Sequence, residues 1–118
     1  MAKVLLIDDS VIVLELMQKA LSAEGIETVA SSNAQGVVEL VREHAPDLLL
    51  LDIEMPECDG IATCAALKEH NRDLIVVFFS SLPRNEIEKV VFKSGADGLI
   101  EKTSDMVAMA ARVKDLIG

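Results

Sequence analysis

The chain has 118 residues, 51% of them hydrophobic, which excludes a disordered chain and provides apolar surface for one core rather than two. Its 20 acidic and 11 basic side chains leave a formal charge of −9, and a negative chain repels nucleic acid and anionic membranes. We therefore expect one domain over residues 1–118 that binds neither nucleic acid directly nor a membrane.

The start of the chain resembles no secretory leader, because Met1 is followed almost at once by a strand pattern. No apolar run approaches the ~20 residues that a membrane span needs. Cys58 and Cys64 lack the spacing of zinc ligands, and we interpret them as reduced thiols. These features predict a cytoplasmic protein that begins at Met1.

Short apolar runs alternate with stretches of helical period, which is the pattern of repeated β-α units around a parallel sheet. The predicted strands are Lys3–Ile7, Glu27–Ala30, Leu48–Leu51, Leu74–Phe79 and Gly98–Glu101. The predicted helices follow Ser10 as far as Gly25, then cover Ala34–Glu43, the stretch from the end of the Ile53–Gly60 loop through Lys68, Pro83–Ser94 and the stretch after Ser104. The predicted N-caps are Ser10, Ser32 or Asn33, and Ser104. The fold class is therefore α/β, a (βα)₅ three-layer sandwich.

Polar side chains follow four of these strands at the point where each strand ends. They are Asp8 and Asp9, then Asp52, Ser80 and Lys102. Ligand sites of open parallel sheets lie at this carboxyl edge. In the strand order 2-1-3-4-5 the three carboxylates come from neighbouring strands, and crowded carboxylates need a counter-ion. An oxygen-only cluster favours Mg²⁺, so Mg²⁺ is the predicted cofactor.

The same residues predict a phosphoryl transfer. The Asp52 carboxylate is the predicted nucleophile, which forms an aspartyl phosphate. Ser80 and Lys102 are predicted to neutralise charge on the transferred oxygens together with Mg²⁺. Each residue alone is ordinary at a strand or helix end, and the hypothesis depends on their joint placement on one edge.

Four segments carry a resemblance to a known family. They are VLLIDDS at Val4–Ser10, PDLLLLDIEMPECDG at Pro46–Gly60, Ser80, and SGADGLIEK at Ser94–Lys102. With them the chain resembles, from end to end, the receiver domain of response regulators in bacterial two-component signalling, of the chemotaxis type. The resemblance implies a flavodoxin-like fold with sheet order 2-1-3-4-5 and a sensor histidine kinase as phosphodonor. It implies no enzyme beyond the domain's own phosphorylation and dephosphorylation.

The resemblance also implies a role for each site residue. Asp52 resembles the phosphoacceptor, Asp9 and Asp8 the Mg²⁺ ligands, Glu54 a further ligand through its backbone carbonyl, Ser80 the switch hydroxyl and Lys102 the family's lysine. Phosphorylation would then reshape the surface of helix four, strand five and helix five, where a downstream protein target would bind. The expected state is a monomer or a phosphorylation-dependent dimer.

The chain departs from the family pattern at three places. Leu99 stands where an aromatic switch residue is usual, so it is either part of the switch surface or plain core packing. Thr103 replaces the proline that usually follows the lysine, which leaves the cis peptide there open. Glu54 and Leu82 occupy the positions thought to tune phosphoryl lifetime, with no sign assigned.

The output surface has its own candidates. On helix four, Ile87, Val90 and Val91 are predicted to face inward, and Phe92 is predicted to face outward as a partner contact. Met106 and Met109 would be adaptable apolar surface if exposed, and core otherwise.

Other functions stay open at this stage. DIEMP and SSL resemble receivers at the front of chemotaxis methylesterases, so the chain could be a receiver fragment of a larger regulator. A phosphorylation-independent adaptor is a second alternative. A Mg²⁺-dependent phosphatase of the haloacid dehalogenase type would use Asp52 and Glu54 as its D-x-D pair. A flavin or nucleotide binder would need a phosphate-binding loop after strand one, where Asp8 and Asp9 stand instead.

Overall fold

A computed structural model describes residues 2–33, 36–54, 59–102 and 105–118. Its strands are β1 (Lys3–Ile7), β2 (Glu27–Ser31), β3 (Leu48–Asp52), β4 (Ile75–Ser80) and β5 (Gly98–Glu101). Its helices are α1 (Val11–Ala23), α2 (Val37–His44), α3 (Gly60–His70), α4 (Arg84–Lys93) and α5 (Met106–Ile117). The strands are all parallel and form one sheet in the order β2-β1-β3-β4-β5, which confirms the predicted fold.

The sheet separates two apolar cores, because successive side chains of a strand point to opposite faces. Leu49 and Leu51 pack with residues of α2, α3 and α4, whereas Leu48 and Leu50 pack with residues of α1 and α5. All four leucines of β3 are 0% exposed, as their continuity predicted. The three layers follow directly from this arrangement. Within the described ranges, no helix is both long and apolar enough to cross a membrane.

The helix starts differ from prediction at two of the expected caps. Ser10 caps α1 as predicted, since its Oγ accepts a hydrogen bond from the Val13 N–H. The N-cap of α2 is Gly36, whose φ of 81° is left-handed, and Val37 is the first helical residue. The predicted start at Ala34 lies outside the described residues. The cap of α5 is Asp105, whose carboxylate accepts from Ala108 N–H, and Ser104 also lies outside the described residues.

The inner face of α4 is narrower than predicted. Val91 is 0% exposed and Ile87 packs on the core one turn earlier, but Val90 is 53% exposed. The prediction that Val90 faces inward is therefore wrong, because α4 lies over the edge strand β5 and only one stripe of the helix is covered. Phe92 is exposed as predicted. On α5, Met109 is buried.

Candidate functional site

Three carboxylates meet at the carboxyl edge of β1 and β3. Asp8 follows β1 and Asp52 ends β3, and they are only 1% and 3% exposed, whereas Asp9 is exposed. Carboxylate oxygens of the three residues lie within 4.8 Å of one another. One oxygen of each buried carboxylate accepts a backbone N–H two residues on, at 2.9 Å, from Ser10 and Glu54 respectively. These two hydrogen bonds hold the carboxylates of Asp8 and Asp52 in place.

The Lys102 ammonium reaches the same point from the end of β5. Its Nζ lies 3.0 Å from Asp52 Oδ2 and 3.1 Å from Asp8 Oδ2. The Lys102 backbone N–H donates to the carbonyl of Ser80, which extends the pairing of β4 and β5 to the base of the side chain. The ammonium is also 5.6 Å from the centre of the Phe79 ring, within range of a cation–π contact. The long lysine stem therefore spans the intervening strand, β4.

The charges at this edge do not balance, since three carboxylates face one ammonium. Burial is the main cause that raises the pKa of Asp52, against opposing contributions from the Glu54 N–H and Lys102. Burial alone would lower the pKa of Lys102, but the carboxylates of Asp52 and Asp8 outweigh it and raise that pKa. Lys102 therefore stays protonated, and the site has an excess of negative charge.

Ser80 is buried at the end of β4, and its hydroxyl is bound to a carboxylate that the sequence did not indicate as its partner. Ser80 Oγ donates to Glu54 Oε1 at 3.1 Å. The same carboxylate accepts from the N–H and the hydroxyl of Ser81 and from the N–H of Leu82. Burial opposes ionisation of Glu54, but these hydrogen bonds from Ser81 and Ser80 lower its pKa. Glu54 therefore links the loop after β3 to the loop after β4.

The donor set fits a hard divalent cation. Oδ2 of Asp8 is buried and, within the described residues, accepts no hydrogen bond, because the nearby ammonium makes an ionic contact without the angles of a hydrogen bond. A buried carboxylate oxygen that accepts no hydrogen bond is a suitable ligand for a cation. Asp8, Asp9 and Asp52 offer only oxygen ligands, as Mg²⁺ prefers.

The two residues predicted on the switch or output surface, Leu99 and Phe92, differ in burial. Leu99 is 3% exposed and packs in the core, which agrees with the alternative of core packing, and its part in the switch surface stays a prediction. Phe92 lies outside the site, against the guanidinium of Arg84, which also donates to the Leu99 carbonyl at 3.0 Å. Nothing in the sequence indicated that Arg84 would link α4 to β5. The peptide before Thr103 and the thiol of Cys58 lie outside the described residues.

Most of the chain matches one known family of proteins. Residues 4–114 match the response regulator receiver domain family. The chemotaxis protein CheY of Halobacterium salinarum is 33% identical over 118 residues, with 99% of this chain and 98% of the relative covered. A protein-glutamate methylesterase/protein-glutamine glutaminase of Rhodopseudomonas palustris is 43% identical over 94 residues, which are 78% of this chain and 24% of that protein. The chain therefore spans about a quarter of that methylesterase.

The fold of the chain is also similar to the folds of solved structures. The receiver domain of the Francisella response regulator 1452 is 26% identical, with a TM-score of 0.88, 99% of this chain and 97% of that one being covered. The Thermotoga maritima response regulator TrrA, solved in complex with Mg²⁺-BeF, is 23% identical with a TM-score of 0.87, and 98% and 99% of the two chains are covered. The second likeness shows a shared fold.

Proposed function

This chain belongs to the response regulator receiver domain family, and from that membership we propose that it is a phosphorylation-dependent signalling switch of a two-component system. A sensor histidine kinase is its phosphodonor, and Asp52 is the acceptor. The observation that carries the proposal is the position of Asp52, a buried carboxylate 3.0 Å from the Lys102 ammonium and beside Asp8. The switch consists of one receiver domain over residues 1–118.

The transfer is an in-line displacement at phosphorus. An Asp52 carboxylate oxygen forms a bond to phosphorus while the bond from phosphorus to the donor's histidine nitrogen breaks. The imidazole leaves with the electron pair and takes a proton from water. Lys102 neutralises charge on the transferred oxygens, which costs little reorganisation because the ammonium is already in place. Hydrolysis later breaks the bond between Asp52 and phosphorus and restores the carboxylate.

Mg²⁺ is the cofactor that we assign to the site. Asp8, Asp9 and Asp52 would hold it through side chains and Glu54 through its backbone carbonyl. When bound, the ion supplies positive charge against the phosphoryl oxygens. The buried Oδ2 of Asp8, which accepts no hydrogen bond within the described residues, and the excess negative charge support this assignment.

The output is a changed protein-binding surface. Ser80 responds to the phosphoryl group, and the adjoining α4, β5 and α5 present the altered face to a downstream protein target. Phe92 and Val90 are the exposed apolar residues of α4 on which such a target would pack. The protein works in the cytoplasm as a monomer or a phosphorylation-dependent dimer, and it contacts no nucleic acid itself.

The domain catalyses only its own phosphorylation and dephosphorylation. The family that matches residues 4–114 is a receiver family. A phosphatase of the D-x-D type is disfavoured, because the Glu54 carboxylate is bound to Ser80 and Ser81 instead of being free to act as an acid or base.

Intact mass after incubation with Mg²⁺ and acetyl phosphate tests the proposal. We expect one phosphoryl adduct on the wild type and none on Asp52→Asn. Asp73→Asn is the matched control, because Asp73 is exposed just before β4, at the opposite edge of the sheet, and we expect it to be labelled fully. An adduct that persists on Asp52→Asn would refute the acceptor. No adduct on the wild type, with no binding of beryllofluoride either, would favour the phosphorylation-independent adaptor.

A further inference from the structure

One hydrogen-bonded unit joins the loop after β3 to the loop after β4, and we call it the Glu54 clamp. It consists of the Glu54 carboxylate, the hydroxyls of Ser80 and Ser81, and the N–H groups of Ser81 and Leu82. Glu54 Oε1 lies 2.9 Å from Ser81 N, 3.1 Å from Leu82 N and 3.1 Å from Ser80 Oγ. The Ser81 hydroxyl is 2.7 Å from both carboxylate oxygens. The partners are 26 to 28 residues away in sequence, so one carboxylate holds three consecutive residues, Ser80 to Leu82, where β4 passes into the β4–α4 loop.

The clamp and the proposed switch compete for the same proton. A serine hydroxyl has a single O–H to donate. While Ser80 donates it to Glu54, it cannot donate it to an oxygen carried by Asp52. The backbone N–H of Glu54 is meanwhile 2.9 Å from Asp52 Oδ1, which keeps the start of the clamp next to the acceptor.

From this competition we infer that the Glu54 clamp holds the domain in its unphosphorylated conformation and must open when Asp52 is modified. The inference deepens the proposed function and rests on it. A phosphoryl group on Asp52 adds negative charge close to the Glu54 carboxylate and offers Ser80 a new acceptor. Both effects favour the open clamp. Glu54 is thus a positioning residue, which acts through Ser80 and the β4–α4 loop.

The clamp is placed to transmit its opening to α4. Leu82 is the last clamped residue, and Pro83 and Arg84 follow it directly at the start of α4. Leu82 N also lies 2.9 Å from Ser80 Oγ, so a movement of the Ser80 hydroxyl changes two contacts of the loop. An open cleft of about 580 Å³ borders the loop, between Ser81 and Glu101, and gives it room to rearrange.

Beryllofluoride titration by calorimetry at constant Mg²⁺ tests the inference. If opening the clamp is part of the binding free energy, weakening the clamp must lower the Kd for beryllofluoride. We expect a Kd about tenfold lower for Glu54→Gln and about threefold lower for Ser81→Ala. Ser81→Ala removes clamp contacts without changing charge. Glu101→Gln is the charge control, since Glu101 is exposed on the same edge, and we expect its Kd within about twofold of wild type.

Amide NMR supplies a second measurement that needs no phosphoryl mimic. In Glu54→Gln without ligand, the Ser81 and Leu82 amide signals are expected to move toward their positions in beryllofluoride-bound wild type. Wild type that binds beryllofluoride, together with unchanged Kd in both clamp variants, would overturn the inference alone. Wild type that fails to bind beryllofluoride would overturn the proposed function and the inference with it.

Discussion

Asp52 is held in a position that favours its neutral form, and its charge therefore lowers the stability of the folded protein. Because burial raises the folded-state pKa of Asp52 above the reference value of 3.8, the native state binds more protons than the unfolded state as pH rises through that range. Stability is therefore lost as pH rises from the unfolded pKa through the raised folded pKa of Asp52.

Asp52→Asn removes this charge and is expected to raise Tm at neutral pH without Mg²⁺, by about 4 °C for each kcal/mol regained. Thermal unfolding measured against pH checks it: the gap between variant and wild type should close on acidification below 3.8. Asp73→Asn should show no such gap. A lower Tm for Asp52→Asn at neutral pH would mean that its ion pair with Lys102 outweighs the burial of the carboxylate.

Lys102 is the only counter-charge found within 4 Å of the buried carboxylates in the described part of the chain. Lys102→Met should therefore destabilise the protein by about 2 kcal/mol, less than for a fully buried pair because the ammonium is 21% exposed. In the Asp52→Asn background the loss should fall to about 1 kcal/mol, since one carboxylate no longer needs compensation. Urea unfolding of the four proteins measures this coupling, and equal losses in both backgrounds would exclude it.

The residues of the site could be predicted from sequence, but their contacts could not. Strand ends in a parallel sheet must share an edge, which is why Asp8, Asp52 and Lys102 meet. The acceptor of the Ser80 hydroxyl depends on how the loops after β3 and β4 approach each other. Spacing along the chain carries no information on that approach, so the Glu54 side chain was not recognised as its partner.

At the scale of the elements, α3 begins with a glycine for a packing reason. A Cβ added at Gly60 would lie 3.0 Å from Cε1 of Phe78 and 3.7 Å from Leu51. Phe78 is fully buried on β4, so its ring cannot turn into solvent. The first turn of α3 can therefore approach the sheet closely only without a side chain at this position.

Gly60→Ala is accordingly expected to lower the free energy of unfolding by about 1–3 kcal/mol, although alanine has the higher helix propensity. Denaturant unfolding checks the value. Phe78→Leu supplies the control: it destabilises by itself, but in its background Gly60→Ala should cost less, because the ring that meets the new Cβ is gone. A neutral or stabilising Gly60→Ala would show that α3 moves outward at no cost.

Helix ends were less predictable than helices. The sequence offers Ser32 and Asn33 as caps before α2, but the backbone turns left-handed at Gly36 and the helix begins after it. Before α5, two adjacent residues of capping type compete, and Asp105 is the one that accepts the Ala108 N–H. Neighbouring caps differ by less energy than tertiary packing contributes, so local sequence does not decide between them.

At the scale of the molecule, the fold was predictable because pattern and topology agree. Alternating strands and helices require a parallel sheet, and a strand of four buried leucines requires helices on both faces. The order of the strands came from the family resemblance, since periodicity alone does not rank alternative orders. The exposure of Val90 was missed because it depends on α4 lying over the edge strand.

The net charge of −9 and the cluster of carboxylates give Mg²⁺ a measurable effect on the whole protein. A ligand that binds only the folded state adds about 1.4 kcal/mol at ten times its Kd. We expect Mg²⁺ to raise the Tm of the wild type, and EDTA to reverse the change. Asp9→Asn should lose most of the rise, whereas Asp73→Asn should keep it. An equal rise in all three proteins would indicate general screening of charge.

The leucine strand β3 has a consequence before folding is complete. Its four leucines are fully buried in the native state, but in the unfolded chain they are exposed and form a short aggregation-prone segment. Asp47 and Asp52 stand at its two ends and act as gatekeepers against intermolecular strand pairing. Asp52→Asn should therefore scatter more light than Asp73→Asn during refolding from urea, even though we expect its native state to be the more stable. The Asp52 carboxylate, which destabilises the folded domain, would then protect the unfolded chain from aggregation.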